Sequence, residues 1–156
     1  MLVWILQTGE PLQIDEGSPR PMRAMNLTNA LIARGHKVVL WSSAFYHQEK
    51  RHRCSEFKSI KVDNNLTINL VPSPGYKKNI GLCRLYDHAI LAHNLSKLLT
   101  SNVYTAPDVA FVGYPPIESA AVMLRWLKKR SVPSMLDVKD LWPGLFVESF
   151  PQFLRP

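Results

Sequence analysis

The sequence is poor in cysteine, has no long apolar run and lacks a nucleotide-binding glycine fingerprint. Its two cysteines, Cys54 and Cys83, form no metal-ligand spacing. They read as reduced thiols of a cytoplasmic protein. No apolar stretch approaches the ~18 residues that a membrane-spanning helix needs. Met1 to Leu6 is too short for an export signal and lacks its basic start. Without such a signal, the Asn-x-Ser/Thr sequons at Asn26, Asn65 and Asn94 carry no weight as glycosylation sites. No Gly-x-Gly-x-x-Gly follows the first apolar run, which weakens a dinucleotide-dependent oxidoreductase reading. There is no internal repeat, low-complexity tract or clear linker. Residues 1–156 are therefore expected to form one domain, long enough to bury a sizeable core.

What is present is an ordinary globular composition, 46% hydrophobic and 20% charged, with a formal charge of +7. Three clusters supply much of that charge: Lys50-Arg51-His52-Arg53, Lys77-Lys78 with Arg84, and Arg125 to Arg130. Nucleic acid, an anionic membrane surface and phosphorylated substrates are the partners such clusters suit. A solvated basic face is the plainer alternative for each. His47, His52 and Glu49 are too irregularly spaced to suggest a metal site, and no metal or cofactor is expected.

Read in order, the chain alternates strand and helix signals. Leu2–Leu6 is near-continuously apolar, as a central parallel strand should be. A breaker-rich stretch, Thr8 to Pro21, leads to a helix over about Met22–Arg34, with Pro21 suited to its start and Gly35 to its stop. Free N–H groups and the positive dipole end of this helix, flanked by Arg20 and Arg23, suit an anion; the plainer alternative is that both arginines are merely solvated. Lys37–Trp41 reads as the second strand. Ser42 to Asn64 is polar and without clear period, a long functional or mobile loop. Leu66–Val71 alternates like a half-buried edge strand. A second helix is predicted over about Leu82–Leu99, carrying His88 and His93, which suit ordinary helix positions better than catalysis. The approach Tyr76-Lys77-Lys78-Asn79-Ile80-Gly81-Leu82 mixes basic, aromatic and aliphatic residues, a composition that suits the surface of an anionic membrane and also an ordinary exposed loop; Arg84 extends it. Asp108–Gly113 reads as a strand ending in Tyr114-Pro115-Pro116, followed by a helix over about Ile117–Arg130 and a last strand, Ser134–Val138. The alternation predicts an α/β fold with a doubly wound, mostly parallel, Rossmann-like sheet and helices on both faces. If the last strand is central, Lys139, Asp140 and Trp142 stand at its carboxyl end, where such sheets bind ligands. Otherwise Asp140 caps the next helix and Trp142 is core.

Asp137-Val138-Lys139-Asp140-Leu141-Trp142-Pro143 resembles the Asp-x-x-Asp-x-Trp-Pro signature of one branch of the family 4 retaining glycosyltransferases. These have the GT-B architecture of two facing Rossmann-like domains. Gln7-Thr8-Gly9-Glu10-Pro11, Gly17 and Arg20-Pro21-Met22-Arg23 are similar to that branch's long first loop. Tyr114 stands where many family members have a histidine, which counts against a histidine-based role.

The resemblance implies an isolated N-terminal, acceptor-binding half of a GT-B fold, inactive without a C-terminal nucleotide-sugar domain. It implies transfer of a sugar from a nucleotide-diphosphate donor to a glycan acceptor, often lipid-linked, in polysaccharide or glycoconjugate synthesis. Asp140 becomes the candidate for orienting the acceptor hydroxyl, and Gly17, Arg20, Arg23, Tyr114, Lys139 and Trp142 the candidates for binding substrate. A cytoplasmic protein, peripheral on the inner face of the plasma membrane, fits this picture. The competing expectation is a stand-alone basic α/β module for nucleic acid or another anionic ligand; without a recognised nucleic-acid motif, nucleic acid is not expected. Asp140→Asn discriminates the two roles of that residue, because Asn caps a helix about as well as Asp. In the complete transferase, turnover should fall strongly at an unchanged melting temperature; full activity would leave only the cap.

Overall fold

The computed structural model describes residues 1–79, 81–101 and 103–139. The chain runs β1 (Leu2–Leu6), α1 (Arg23–Ala33), β2 (Lys37–Ser43), β3 (Phe45–Tyr46), β4 (Arg51–His52), β5 (Lys58–Lys61), β6 (Leu66–Val71), α2 (Leu82–Thr100), β7 (Val109–Tyr114), α3 (Ile117–Lys128) and β8 (Ser134–Val138). Six strands form one sheet in the order β5-β6-β2-β1-β7-β8, parallel except for β5. β3 and β4 make a separate small ribbon. No helix among the described residues is long and apolar enough to cross a membrane.

β1 lies inside the sheet, and its apolar run serves two cores because successive side chains point to opposite faces. Val3 and Ile5 pack in a cluster with Ala24 and Met25 of α1. Trp4 and Leu6 pack in another with Leu91, Leu95 and Leu99 of α2 and Met123 and Leu127 of α3. The second core is built on aromatic rings: Trp4 stacks on Trp126 at 4.9 Å and tilts against Trp41 at 5.2 Å. Trp126 Nε1 donates to Leu99 O at 2.8 Å, which ties α3 to the end of α2.

α1 ends as its sequence predicts. Gly35 takes φ +79°, its N–H bonds Ile32 O at 2.8 Å, and the His36 N–H bonds Leu31 O at 3.1 Å. This pairing closes a helix with a left-handed residue that glycine adopts without a Cβ penalty. The start differs from expectation. Pro21 lies outside the helix and Met22 is the N-cap, with no capping side chain of its own. Glu10, fourteen residues from the N–H it caps, supplies the missing acceptor: its Oε2 takes the Ala24 N–H at 2.8 Å.

Three other expectations are corrected. β6 is not an edge strand, because β5 pairs antiparallel along its outer side. The stretch from Ser42 to Asn64 is not an unstructured loop, since it holds β3, β4 and β5. β5 escaped notice because Lys-Ser-Ile-Lys offers Ile60 alone as an apolar mark of period two. β8 is not central: among the described residues it pairs with β7 only, and Met135, Leu136 and Val138 are 64%, 44% and 49% exposed.

The loop after β1 is pinned by a buried ion pair. Arg53 donates from Nε and Nη2 to the two carboxylate oxygens of Asp15 at 2.6 and 2.7 Å, and both side chains are almost wholly buried. Arg53 also reaches Ser43 O and Glu10 O. Burial alone would raise the Asp15 carboxyl, but the Arg53 fork and the Leu12 N–H outweigh it and hold the pKa below the ordinary 3.8. The stability this provides is present above that ordinary value and is lost as pH falls through the lower folded one. Arg53→Met should therefore cost about 3–5 kcal/mol, by stranding a buried carboxylate. Thermal melts should show the loss at pH 7, and Asp15→Asn in the same chain should restore part of it.

Candidate functional site

The strand order reverses between β1 and β7. From β1 the chain builds outward through β2 to β6, then returns to place β7 on the other side of β1. Loops leaving the carboxyl ends of such strands diverge and open a crevice. Here it is a cleft of about 210 Å³ lined by Gln7 and Glu10 after β1, Ser43 at the end of β2, Pro115 and Pro116 after β7, and residues of α2. A wider opening of about 600 Å³, lined by Pro19, Arg20, Arg23 and Gln48, adjoins it; Glu10, Met22 and Lys139 border both.

The ridge between the two is ionic. Glu10 is 4% exposed; one of its oxygens caps α1 and the other pairs with Lys139 Nζ. Arg23 Nη1 lies 2.6 and 2.8 Å from the two oxygens of Asp137. The N-terminus of α1, expected to offer free N–H groups to a ligand's phosphates, is thus partly filled by a carboxylate of the same chain. Buried in a low dielectric, Glu10 needs those partners to remain charged.

The inner wall turns on Gly75. Its φ is +78°, a Cβ there would lie 2.7 Å from the Phe45 ring, and its N–H bonds Asp87 Oδ1 at 2.7 Å. The turn delivers Tyr76 into the cleft, where its hydroxyl meets His47 Nδ1 at 2.6 Å. Lys50 Nζ also lies 3.0 Å from that nitrogen. An ammonium can only donate, so Nδ1 is the acceptor and His47 carries its proton on Nε2. His88 of α2 stands edge-on to Tyr76, with Nδ1 3.9 Å from Glu118 Oε2. Burial lowers the pKa of His47, with help from Lys50 and Arg84; burial also lowers that of His88, outweighing Glu118. On the floor, Gln7 is 4% exposed and Gly113 leaves room for it, since a Cβ there would overlap Gln7 Oε1.

The residues singled out in the sequence meet in part. Arg20, Arg23 and Lys139 come together at the outer opening, Arg23 and Lys139 already in ion pairs. Tyr114 ends β7 half-buried, its carbonyl accepting the Lys139 N–H at 3.0 Å. Gly17, exposed at φ +77°, lies in the first loop but does not line the cleft. Asp140 and Trp142 lie outside the described residues. Of the loop expected to face a membrane, Lys77 and Lys78 are exposed, Arg84 is half-buried and Tyr76 is turned inward, 9% exposed. The cluster Lys50-Arg51-His52-Arg53 does not form a free basic face: Arg51 pairs with Glu49 and Arg53 with Asp15. Among the described residues no group of His, Cys, Asp or Glu could hold a metal. Gln7 and Glu10 belong to the first loop that carries the family resemblance but had no individual role in the sequence, and His47 and His88 had none in a cleft, because their convergence is tertiary and leaves no local spacing.

No family model matches the chain, and no curated protein matches it significantly.

Both histidines, His88 buried and His47 half-buried, favour the neutral form in the folded state. Their contribution to stability is present above the ordinary value of 6.5 and is lost as pH falls through the lower folded values. Imidazole resonances of His47 and His88 followed by NMR should titrate below that ordinary value. The melting temperature should fall between about pH 7 and pH 5, less so in a His88→Gln variant.

Proposed function

We propose that the chain is the acceptor-binding, N-terminal half of a family 4 retaining glycosyltransferase of the GT-B class, a doubly wound Rossmann-like domain. One observation carries the reading. Two of the three segments that resemble the family, the first loop and the Asp137–Pro143 motif (the third is the strand ending in Tyr114-Pro115-Pro116), are more than a hundred residues apart and are joined at the cleft by Glu10–Lys139 and Arg23–Asp137. In this reading Asp137 and Lys139 do not grip substrate. They lock the end of β8 onto the start of α1.

The chemistry asked of this half is positioning. In a retaining transfer the leaving phosphate can take the acceptor's proton, so the protein's part is to align the hydroxyl and stabilise phosphate charge. Asp140 is assigned the hydroxyl. Gln7, Ser43 and His88 supply buried hydrogen-bonding groups in the cleft, and Phe45, Tyr76 and Pro116 supply apolar faces for a sugar ring. A lipid-linked acceptor fits the neighbouring surface. Leu82, Leu85 and Tyr86 are 83%, 43% and 61% exposed on the first turns of α2, close in sequence to exposed Lys77 and Lys78. Apolar side chains flanked by cations suit the surface of an anionic membrane.

Calorimetry with a short-chain prenyl-diphosphate sugar tests the acceptor role. Binding to this chain, with only weak affinity for nucleotide-sugars, is the expected result; tight nucleotide-sugar binding without acceptor binding would sink it. Charge reversal at Lys77 and Lys78 should reduce co-sedimentation with anionic vesicles, since each lysine near such a surface contributes about 1 kcal/mol.

A further inference from the structure

The charges of the cleft are not evenly matched. The ion pairs among the described residues engage Arg23, Arg51, Arg53, Lys139 and His88, but neither Lys50 nor Arg84. These two converge on one residue. Lys50 Nζ donates to Asn79 Oδ1 at 2.6 Å, and Arg84 Nη1 donates to Asn79 O at 2.8 Å. Both also lie near the Tyr76 ring, at 4.5 and 5.8 Å from its centroid. Each acceptor that holds them, including His47 Nδ1, is neutral. The nearby carboxylate of Asp87 is buried, with Oδ1 taken by the Gly75 N–H. α2 starts beside them with no acidic residue in its first turn and no capping side chain, which adds its positive dipole end. Two half-buried cations held together by neutral groups repel each other, and burial together with Arg84 pulls the Lys50 pKa down.

We propose that Lys50 and Arg84, meeting at Asn79 beside Tyr76, bind a phosphate or diphosphate group at the mouth of the cleft. The anion would replace neutral oxygens with charged ones, and the rest of its molecule would enter the cleft that Arg84 and Tyr76 line. This site does not depend on the acceptor reading. It places the phosphate contact away from Arg23 and Lys139, whose charges Asp137 and Glu10 already balance.

Inorganic pyrophosphate is the probe, titrated into the full chain at low salt. Lys50→Gln and Arg84→Gln should each weaken binding about tenfold or more, the loss of one charge-assisted contact. Lys77→Gln should leave it unchanged. Equal affinity in the first two variants, or the same loss in the third, would overturn the site. Should a variant fail to fold, the unaltered chain still decides: the Arg84 Nε–Hε resonance should shift with pyrophosphate, and no shift at a saturating concentration overturns the site. Displacement of pyrophosphate by a short prenyl diphosphate assigns a soluble diphosphate ligand; displacement by phosphatidic acid vesicles assigns a lipid headgroup. Pyrophosphate binding here without prenyl-diphosphate-sugar binding would keep the site and remove the acceptor reading.

Discussion

A carboxylate taken out of water must be paired or lose its charge. Two in the loop after β1, Glu10 and Asp15, are buried, and their needs shape the site. Asp15 binds Arg53, which anchors the loop to the segment after β2. Glu10 binds Lys139 and the start of α1, which anchors it to the end of β8. The loop is rich in glycine and proline and makes few backbone hydrogen bonds of its own. Its course is therefore set by where its two acids find cations. One cation comes from the segment after β2 and the other from the end of β8, on opposite sides of β1 in the sheet order, so the loop is held on both sides and the cleft keeps its wall.

The same pairing changes the meaning of the net charge of +7. Along the sequence the cations look like clusters; in space they are sorted by partner. Arg51 and Arg53, two members of one cluster, point to Glu49 and to the buried Asp15. Lys50 goes a third way, to Asn79 and His47. A linear count of basic residues thus overstates the free charge at one place and hides an unbalanced pair at another.

Much of the framework was legible in the sequence. β1 and β6 have their predicted bounds because continuous or alternating apolar residues mark them directly. α1, α2 and α3 fall within a few residues of expectation because buried positions recur with helical spacing, as at Leu91, Leu95 and Leu99. What failed was whatever depends on neighbours. Leu66–Val71 looked like an edge strand, but β5, too short and too charged to announce itself, lies outside it. Ser134–Val138 reads as a strand, yet its pairing with β7 alone among the described residues cannot be read from its own residues. The site divides the same way. Arg20, Arg23 and Lys139 stand out through the resemblance and do meet, whereas Glu10 and Gln7 sit in the same matched loop with no role of their own, since a lone acid or amide in a loop says nothing until its partner arrives from elsewhere in the fold.

The two faces of the cleft offer an anion different terms. At the start of α1 it would have to displace Glu10 from Lys139 and the Ala24 N–H, leaving that carboxylate buried without a partner. Charge-assisted hydrogen bonds are roughly twice as strong as neutral ones, and stranding a buried charge adds its own desolvation cost. At Asn79 the anion would displace an exposed amide and a carbonyl, which can return to water. It would also relieve the repulsion between Lys50 and Arg84. A helix N-terminus is a good anion site only while it is vacant. In this chain the start of α1, with its flanking arginines, is already partly filled by Glu10, and the favourable exchange lies across the cleft, where the cations have neutral partners.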